Sequence, residues 1–164
     1  VTALDRIKPL HAISLRMVDL SPQEGAGDVY CYDKKKPRNL SLTGTALARL
    51  MAAAGASPVA KHRLDDRSDP LYWEIEVWVA VRDFDGQWRQ QQGTKVVDLR
   101  KGSVQIAGMS PGMLEQQKTR GQELCESKAQ NRALRKLLGV KMSYTPEELA
   151  LPFVVTKPPS IVEH

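Results

Sequence analysis

The stretch that decides the fold is LYWEIEVWVAVRDFDGQWRQQQGTKVVDLR, residues 71–100. In its first half, large apolar side chains alternate with mostly polar ones, and a period of two is typical of a strand with one buried face. The members of the apolar face are Trp73, Ile75, Val77, Val79 and Val81. Asp85-Gly86 is a short-hairpin signal, and a return strand over residues 87–94 follows it, which KVVDL (95–99) continues. The stretch therefore predicts a long antiparallel hairpin with one aliphatic face.

A long helix is predicted downstream, over residues 114–138, with Gly139 as its C-terminal stop. At about 100° per residue, its basic side chains fall within an arc of about 100°, opposite small and aliphatic ones. The basic side consists of Lys128, Arg132, Arg135 and Lys136, and Lys118 lies near the same arc two to three turns earlier. Like charges at this spacing repel one another by a few tenths of a kcal/mol per pair. This side is either a solvated helix face favoured by the macrodipole or a surface for a polyanion.

Shorter elements are predicted around the hairpin and the long helix. They are strands at residues 11–18 and 28–32, a helix at 46–54 capped by Thr43 or Thr45 and ended by Gly55, a loop or strand start at 61–70, a helical turn capped by Thr145, and an extended proline-rich tail at 151–164. This order predicts an α+β fold, with an antiparallel sheet of three to five strands, one long helix across a face and a short helix before the sheet. We expect one domain over residues 1–145, followed by a short helical turn and a proline-rich tail over 146–164.

Composition narrows the class of protein. The chain has 164 residues and a net charge of +5, which mildly favours acidic partners such as nucleic acid. Cys31 and Cys125 are far apart and form no C-x-x-C pair, which argues against a metal or redox motif. The two cysteines form either a single structural disulfide or, as we expect, two reduced thiols in a cytosolic protein. No apolar run approaches the roughly 18 residues of a membrane helix, and we expect no membrane association.

Enzyme motifs have little support in the sequence. G-x-S-x-G occurs once, as GMSPG (108–112), but in an irregular Gly/Ser/Pro-containing segment and not directly after a predicted strand, as the nucleophile motif requires. The phosphate-binding G-x-x-x-x-G-K-[ST] does not occur, and His11, His62 and His164 lie at no ligand spacing. We therefore expect no catalytic residue, cofactor or metal. A metal-dependent nuclease is the minor alternative, because acidic residues such as Asp69 and Glu76 cluster and ESK (126–128) fits half of a nuclease motif. That half-motif belongs on a strand, whereas this one lies in a predicted helix.

Three segments carry a resemblance to a known family: LTGTALARLMAAAG (42–55), WVAVRDFDGQWRQQQG (78–93) and ELCESKAQNRALRKLLG (123–139). Together they resemble the Rad-fifty-two family of single-strand annealing proteins and its phage-encoded relatives. The resemblance implies a β-β-β-α core with a curved sheet, and a helix whose basic residues bind the backbone of single-stranded DNA. Arg132 and Arg135 match the two arginines of the family pattern, whereas Asn131 stands where the family often has lysine.

The resemblance implies ATP-independent, sequence-independent binding of single-stranded DNA and annealing of complementary strands in recombination and repair. The residues expected to bind DNA are Lys128, Arg132, Arg135, Lys136, Lys118, Lys95 and Arg100. It also implies a homo-oligomeric ring or filament. In that assembly, the strand edges at DVYCY (28–32) or KVVDL (95–99) would pair one subunit with the next. An exonuclease or single-strand-binding protein would be its partner in the cytoplasm, the host's if the chain is phage-encoded.

Other interpretations stay open. The chain is alternatively an assembly or interaction protein on the same fold. The basic turn DKKKPR (33–38) is either a solvated loop or a second DNA contact. The aromatic residues of the hairpin are either core and interface residues or a stacking surface for bases; they are Tyr72, Trp73, Trp78 and Trp88.

Overall fold

The computed structural model describes residues 14–83 and 86–157 and confirms an α+β fold of antiparallel sheets and helices. In chain order, the elements are β1 Ser14–Val18, β2 Val29–Cys31, β3 Leu40–Leu42, α1 Gly44–Ala54, β4 Ser57–Arg63, β5 Tyr72–Arg82, β6 Trp88–Asp98, α2 Pro111–Leu138, α3 Pro146–Leu149 and β7 Phe153–Lys157. The strands form a β1–β7 pair, a β2–β3 pair and a three-stranded sheet in the order β4-β5-β6. None of the helices described is long and apolar enough to cross a membrane.

Three expectations concern residues outside these ranges. They are the start of the first strand at 11–13, Asp85 in the hairpin turn, and the tail beyond Lys157. On the described side of the turn, the Asp83 amide donates to the Gln87 carbonyl at 2.7 Å, so the chain reverses where the hairpin was predicted.

The chain divides into two compact units, and both are discontinuous in sequence. Among the described residues, the first unit comprises 14–57, 80–83, 86–90 and 137–157, and the second comprises 58–79 and 91–136. The residues after 145, up to Lys157, belong to the first unit with β1 to β3 and α1.

The second unit contains most of β4, β5, β6 and α2, the β-β-β-α order that the resemblance implied. The apolar face of β5 is buried as predicted, with Ile75 at 1% exposure. Small residues of α2 are buried four positions apart, at Gly121, Cys125, Ala129 and Ala133. A Cβ atom on Gly121 would lie 2.4 Å from the Trp73 ring, so the helix lies close to the sheet.

The long helix begins three residues earlier than predicted, at Pro111. Proline suits the first turn because its missing N–H would have no helical partner there. Ser110 precedes it, and its hydroxyl oxygen accepts a hydrogen bond from the Met113 amide at 3.3 Å. Gly139 follows the helix with a φ of 66°, the left-handed conformation expected of a C-terminal stop.

The first unit is organised around α1. Thr43 caps this helix by accepting from the Ala46 amide, and Gly55 ends it in the left-handed conformation, as predicted. The helix contacts β1, β3 and β7. In the β1–β7 pair, Met17 lies opposite Val154, so part of the predicted tail is a strand.

Two strands differ from the prediction. β3 was not predicted because its three residues, Leu40–Leu42, are too few to show a strand pattern in the sequence. β4 begins at Ser57, before the predicted loop or strand start at 61–70, and most of its residues are exposed. It is an edge strand, where Pro58 is tolerated and a clear apolar face is not required.

Candidate nucleic-acid interface

Four of the predicted binding residues lie in the second unit as a group that we call the basic strip: Lys95 on β6 and Lys128, Arg132 and Lys136 on α2. The three helical members are four residues apart and exposed. Among the described residues, no carboxylate forms an ion pair with any member of the basic strip. The basic strip therefore carries four positive charges that no acidic side chain among the described residues neutralises by an ion pair.

Two members of the basic strip bind main-chain oxygens of β6. The Arg132 Nη1 atom donates to the Thr94 carbonyl at 2.7 Å, and the Lys136 Nζ atom donates to the Gln92 carbonyl at 3.1 Å. β6 is an edge strand of its sheet. A guanidinium has five N–H donors and an ammonium has three, so these contacts orient both side chains and leave donors for a ligand.

The pKa of Lys95 shows how close the positive charges are. Burial lowers the pKa of this half-buried side chain, and the positive charges of Arg132 and Lys128 lower it further. Mutual repulsion of this kind is unfavourable in the free protein. A bound polyanion would remove it, since each phosphate offsets one positive charge.

Close packing of the backbone holds the helical part of the strip against β6. A Cβ atom on Gly93 of β6 would lie 2.2 Å from the Ala129 carbonyl oxygen and 2.9 Å from the Arg132 Cβ. Only glycine permits this approach. Gly93 belongs to the predicted hairpin motif, but no local sequence pattern indicates its contact with α2.

The remaining predicted residues are in different surroundings. Arg135, the second arginine of the resemblance, is half-buried. Lys118 pairs with Glu115 at 2.7 Å, one helical turn away. Arg100 pairs with Asp98 at 2.8 Å and stacks over the Tyr72 ring at 4.5 Å. Glu115 and Asp98 thus neutralise Lys118 and Arg100 locally. The short spacing of each pair in the sequence could have indicated this.

The aromatic residues of the hairpin have several roles. Trp73 is 7% exposed and lies against Gly121, so of the two interpretations left open it is a core residue and not a stacking surface. Tyr72 is covered by the Arg100 guanidinium. The Trp78 Nε1 atom donates to a Glu76 carboxylate oxygen at 2.7 Å. Trp88 is 58% exposed.

The acidic residues behind the nuclease alternative are engaged in structural contacts. Asp65 accepts from Arg63 and, at 2.9 Å, from the Glu74 amide. Glu126 of the ESK segment lies on α2 and pairs with Lys61 at 2.9 Å. Within 14–83 and 86–157, no group of three or more His, Cys, Asp or Glu side chains is arranged to hold a metal ion.

Both cysteines are free thiols, and Cys125 is completely buried. Its sulfur donates to the Lys95 carbonyl at 3.0 Å, so it is part of the packing between α2 and β6. Burial raises the pKa of the Cys125 thiol.

A scan of protein-family models found no match to this chain, and a search of curated proteins found none either.

Proposed function

We propose that this protein binds single-stranded DNA without sequence preference, through the phosphates, along the basic strip. The observation that carries the proposal is the group of four cations at the α2–β6 contact that have no acidic partner among the described residues. The arginine in the group suits a phosphate because its planar fork can donate two parallel hydrogen bonds. Phosphate contacts carry no base information, so sequence selectivity is not expected.

Annealing of complementary strands is the activity that follows from the resemblance to single-strand annealing proteins. Binding by phosphates would leave base edges exposed to an incoming strand, and no nucleotide hydrolysis is required. From Lys128 to Lys136 the helix rises only about 12 Å, so the basic strip of one protomer can contact only a few phosphates. One protomer would therefore hold only a short segment, which favours a homo-oligomer.

The test is fluorescence anisotropy of a labelled oligo-dT at several salt concentrations, with matched double variants. Lys128→Gln/Lys136→Gln removes two charges of the basic strip. Lys118→Gln/Arg120→Gln removes two charges from the same helix that are already paired with Glu115 and Glu123. Both variants lower the net charge by the same amount.

We expect the strip variant to bind more weakly and to lose about 1.4 from the slope of log K against log salt, at about 0.7 per phosphate contact. The control variant should remain close to wild type. Equal effects of the two variants would mean that net charge, and not the strip, attracts DNA. Absence of wild-type binding at low salt would rule out the proposed function.

The second candidate is an assembly or interaction protein, and the β1–β7 pair favours it. Leu15, Met17 and Val154 are 67%, 68% and 62% exposed, an unusual set of apolar side chains for one short strand pair. Sedimentation of wild type and Met17→Lys, each with and without oligo-dT, separates the two functions. Assembly that depends on Met17 in a protein that does not bind DNA would favour this candidate.

A further inference from the structure

The β2–β3 hairpin of the first unit presents two tyrosines outwards. Val29 is only 3% exposed, whereas Tyr30 and Tyr32 are 40% and 84% exposed. Tyr30 lies in β2, and Tyr32 follows the last residue of that strand at the start of the turn. Tyr32 is the most exposed aromatic side chain in the described part of the protein.

The turn that follows Tyr32 carries three exposed lysines, Lys34, Lys35 and Lys36. Its backbone is fixed by hydrogen bonds from the Lys36 amide to the Asp33 carbonyl and from the Asn39 amide to the Lys36 carbonyl, at 2.8 and 2.9 Å. No carboxylate among the described residues forms an ion pair with these lysines.

The nearby acidic side chains already have partners. The Asp33 carboxylate accepts from the Lys35 amide at 2.9 Å, which shapes the turn itself. Glu24 accepts from the Cys31 amide at 3.2 Å. Glu147 pairs with Arg38 at the far side of the turn. The hairpin tip is therefore a preformed loop on which positive charge is concentrated beside two aromatic rings.

We propose that this hairpin tip is a second binding site for single-stranded nucleic acid, in which Tyr32 stacks on a base and Lys34–Lys36 bind the adjoining phosphates. Rings beside cations are the usual combination for single-strand binding, because every base has a stacking face. The inference rests on the proposed function for its ligand class. It adds a site of different chemistry, since the basic strip would bind phosphates alone, whereas the hairpin tip would bind a base as well as phosphates.

Anionic lipid is the competing ligand for a lysine-rich loop. Electrostatic attraction alone can bring such a loop to an anionic membrane surface, whereas insertion into the acyl boundary needs exposed apolar side chains. The aliphatic residues of this hairpin, Val29, Leu40 and Leu42, are all buried. The exposed groups are phenols and ammonium groups, which suits bases and phosphates better.

The experiment compares an oligo-dT with an abasic oligonucleotide of the same length and backbone charge. Wild type should bind oligo-dT more tightly than the abasic oligonucleotide. In Tyr32→Ala the ratio of the two Kd values should fall by about five-fold or more, the lower end of the effect of one stacked base. Tyr32→Phe keeps the ring and should behave like wild type. Because Tyr32 is almost fully exposed, neither substitution should affect folding, and circular dichroism verifies this.

Each outcome decides between the two sites. A preference for bases that persists in Tyr32→Ala overturns the hairpin site, even if Lys128→Gln/Lys136→Gln still reduces binding and the proposed function stands. Loss of the preference in Tyr32→Ala, with no effect of the strip variant, supports the hairpin site and shows that the basic strip is not a DNA-binding site. If Lys34→Gln/Lys36→Gln weakens binding to phosphatidylserine vesicles and leaves oligo-dT binding unchanged, the lysines bind lipid, and the proposal is wrong.

Discussion

Gly93→Ala should destabilise the protein far more than one added methyl group suggests. The new Cβ atom would lie 2.2 Å from the Ala129 carbonyl oxygen and 2.5 Å from the Ala133 nitrogen, both backbone atoms of α2. Ordinary contact begins at about 3.5 Å, so the helix and strand would have to separate by about 1 Å. Backbone atoms cannot rotate away as a side chain can. We expect a cost of about 3 kcal/mol, at the upper end of the range for overpacking.

Urea denaturation followed by circular dichroism measures this cost, and Gly112→Ala is the matched control. Gly112 lies in the first turn of the same helix, and a Cβ atom there would meet nothing within 4 Å. The control substitution should be neutral or stabilising by up to about 1 kcal/mol, because alanine is the better helix former. We therefore expect the same glycine-to-alanine change to lower the free energy of unfolding at Gly93 and to leave it unchanged or raise it at Gly112. A Gly93→Ala protein within about 0.5 kcal/mol of wild type would refute the close contact between β6 and α2.

Two further predictions concern titrating groups. The hydrogen bond from Arg63 lowers the pKa of Asp65 from 3.8 to about 2, helped by amides including that of Glu74. Since the folded pKa lies below the unfolded one, this stabilisation of about 2 kcal/mol is present above about pH 4 and is lost as pH falls towards 2. Asp65→Asn should therefore be less stable than wild type at pH 6, and the gap should narrow in urea titrations towards pH 2; a constant gap would contradict the assignment. For the thiols, native protein at pH 8 should react with iodoacetamide at Cys31 alone, because burial raises the pKa of Cys125. Mass spectrometry of native and unfolded samples checks this, and rapid native labelling in Cys31→Ser would contradict it.

The parts of the fold that could be read from the sequence are those with long periodic patterns. The buried face of β5 and most of α2 follow from periods of two and 3.6 residues that repeat over many residues, although the first three residues of α2 were not predicted. β3 has three residues and β4 has little buried surface, so neither offers a pattern. The pairing of β7 with β1 joins segments more than a hundred residues apart, and no local signal indicates it.

The candidate site likewise has a part that a local sequence pattern predicts and a part that depends on tertiary packing. The row of Lys128, Arg132 and Lys136 is local to one helix, and its spacing alone places the three side chains on one side. Lys95 was predicted as a candidate, but its proximity to that row depends on how α2 lies on β6, which no local pattern determines. The pairing of Lys118 with Glu115 was available in the sequence as an i,i+3 spacing.

Packing and charge in the second unit have a common physical origin. Small residues of α2, together with Gly93, bring the helix backbone against β6. The neighbouring row of the helix is then near enough for Arg132 and Lys136 to reach the Thr94 and Gln92 carbonyls. Larger residues in the small row would move the basic row away from the strand and release both side chains from these anchors. The close packing thus fixes the orientation of the charged side chains. A substitution at Gly93 that destabilises the protein should therefore also change the affinity of the basic strip for its ligand.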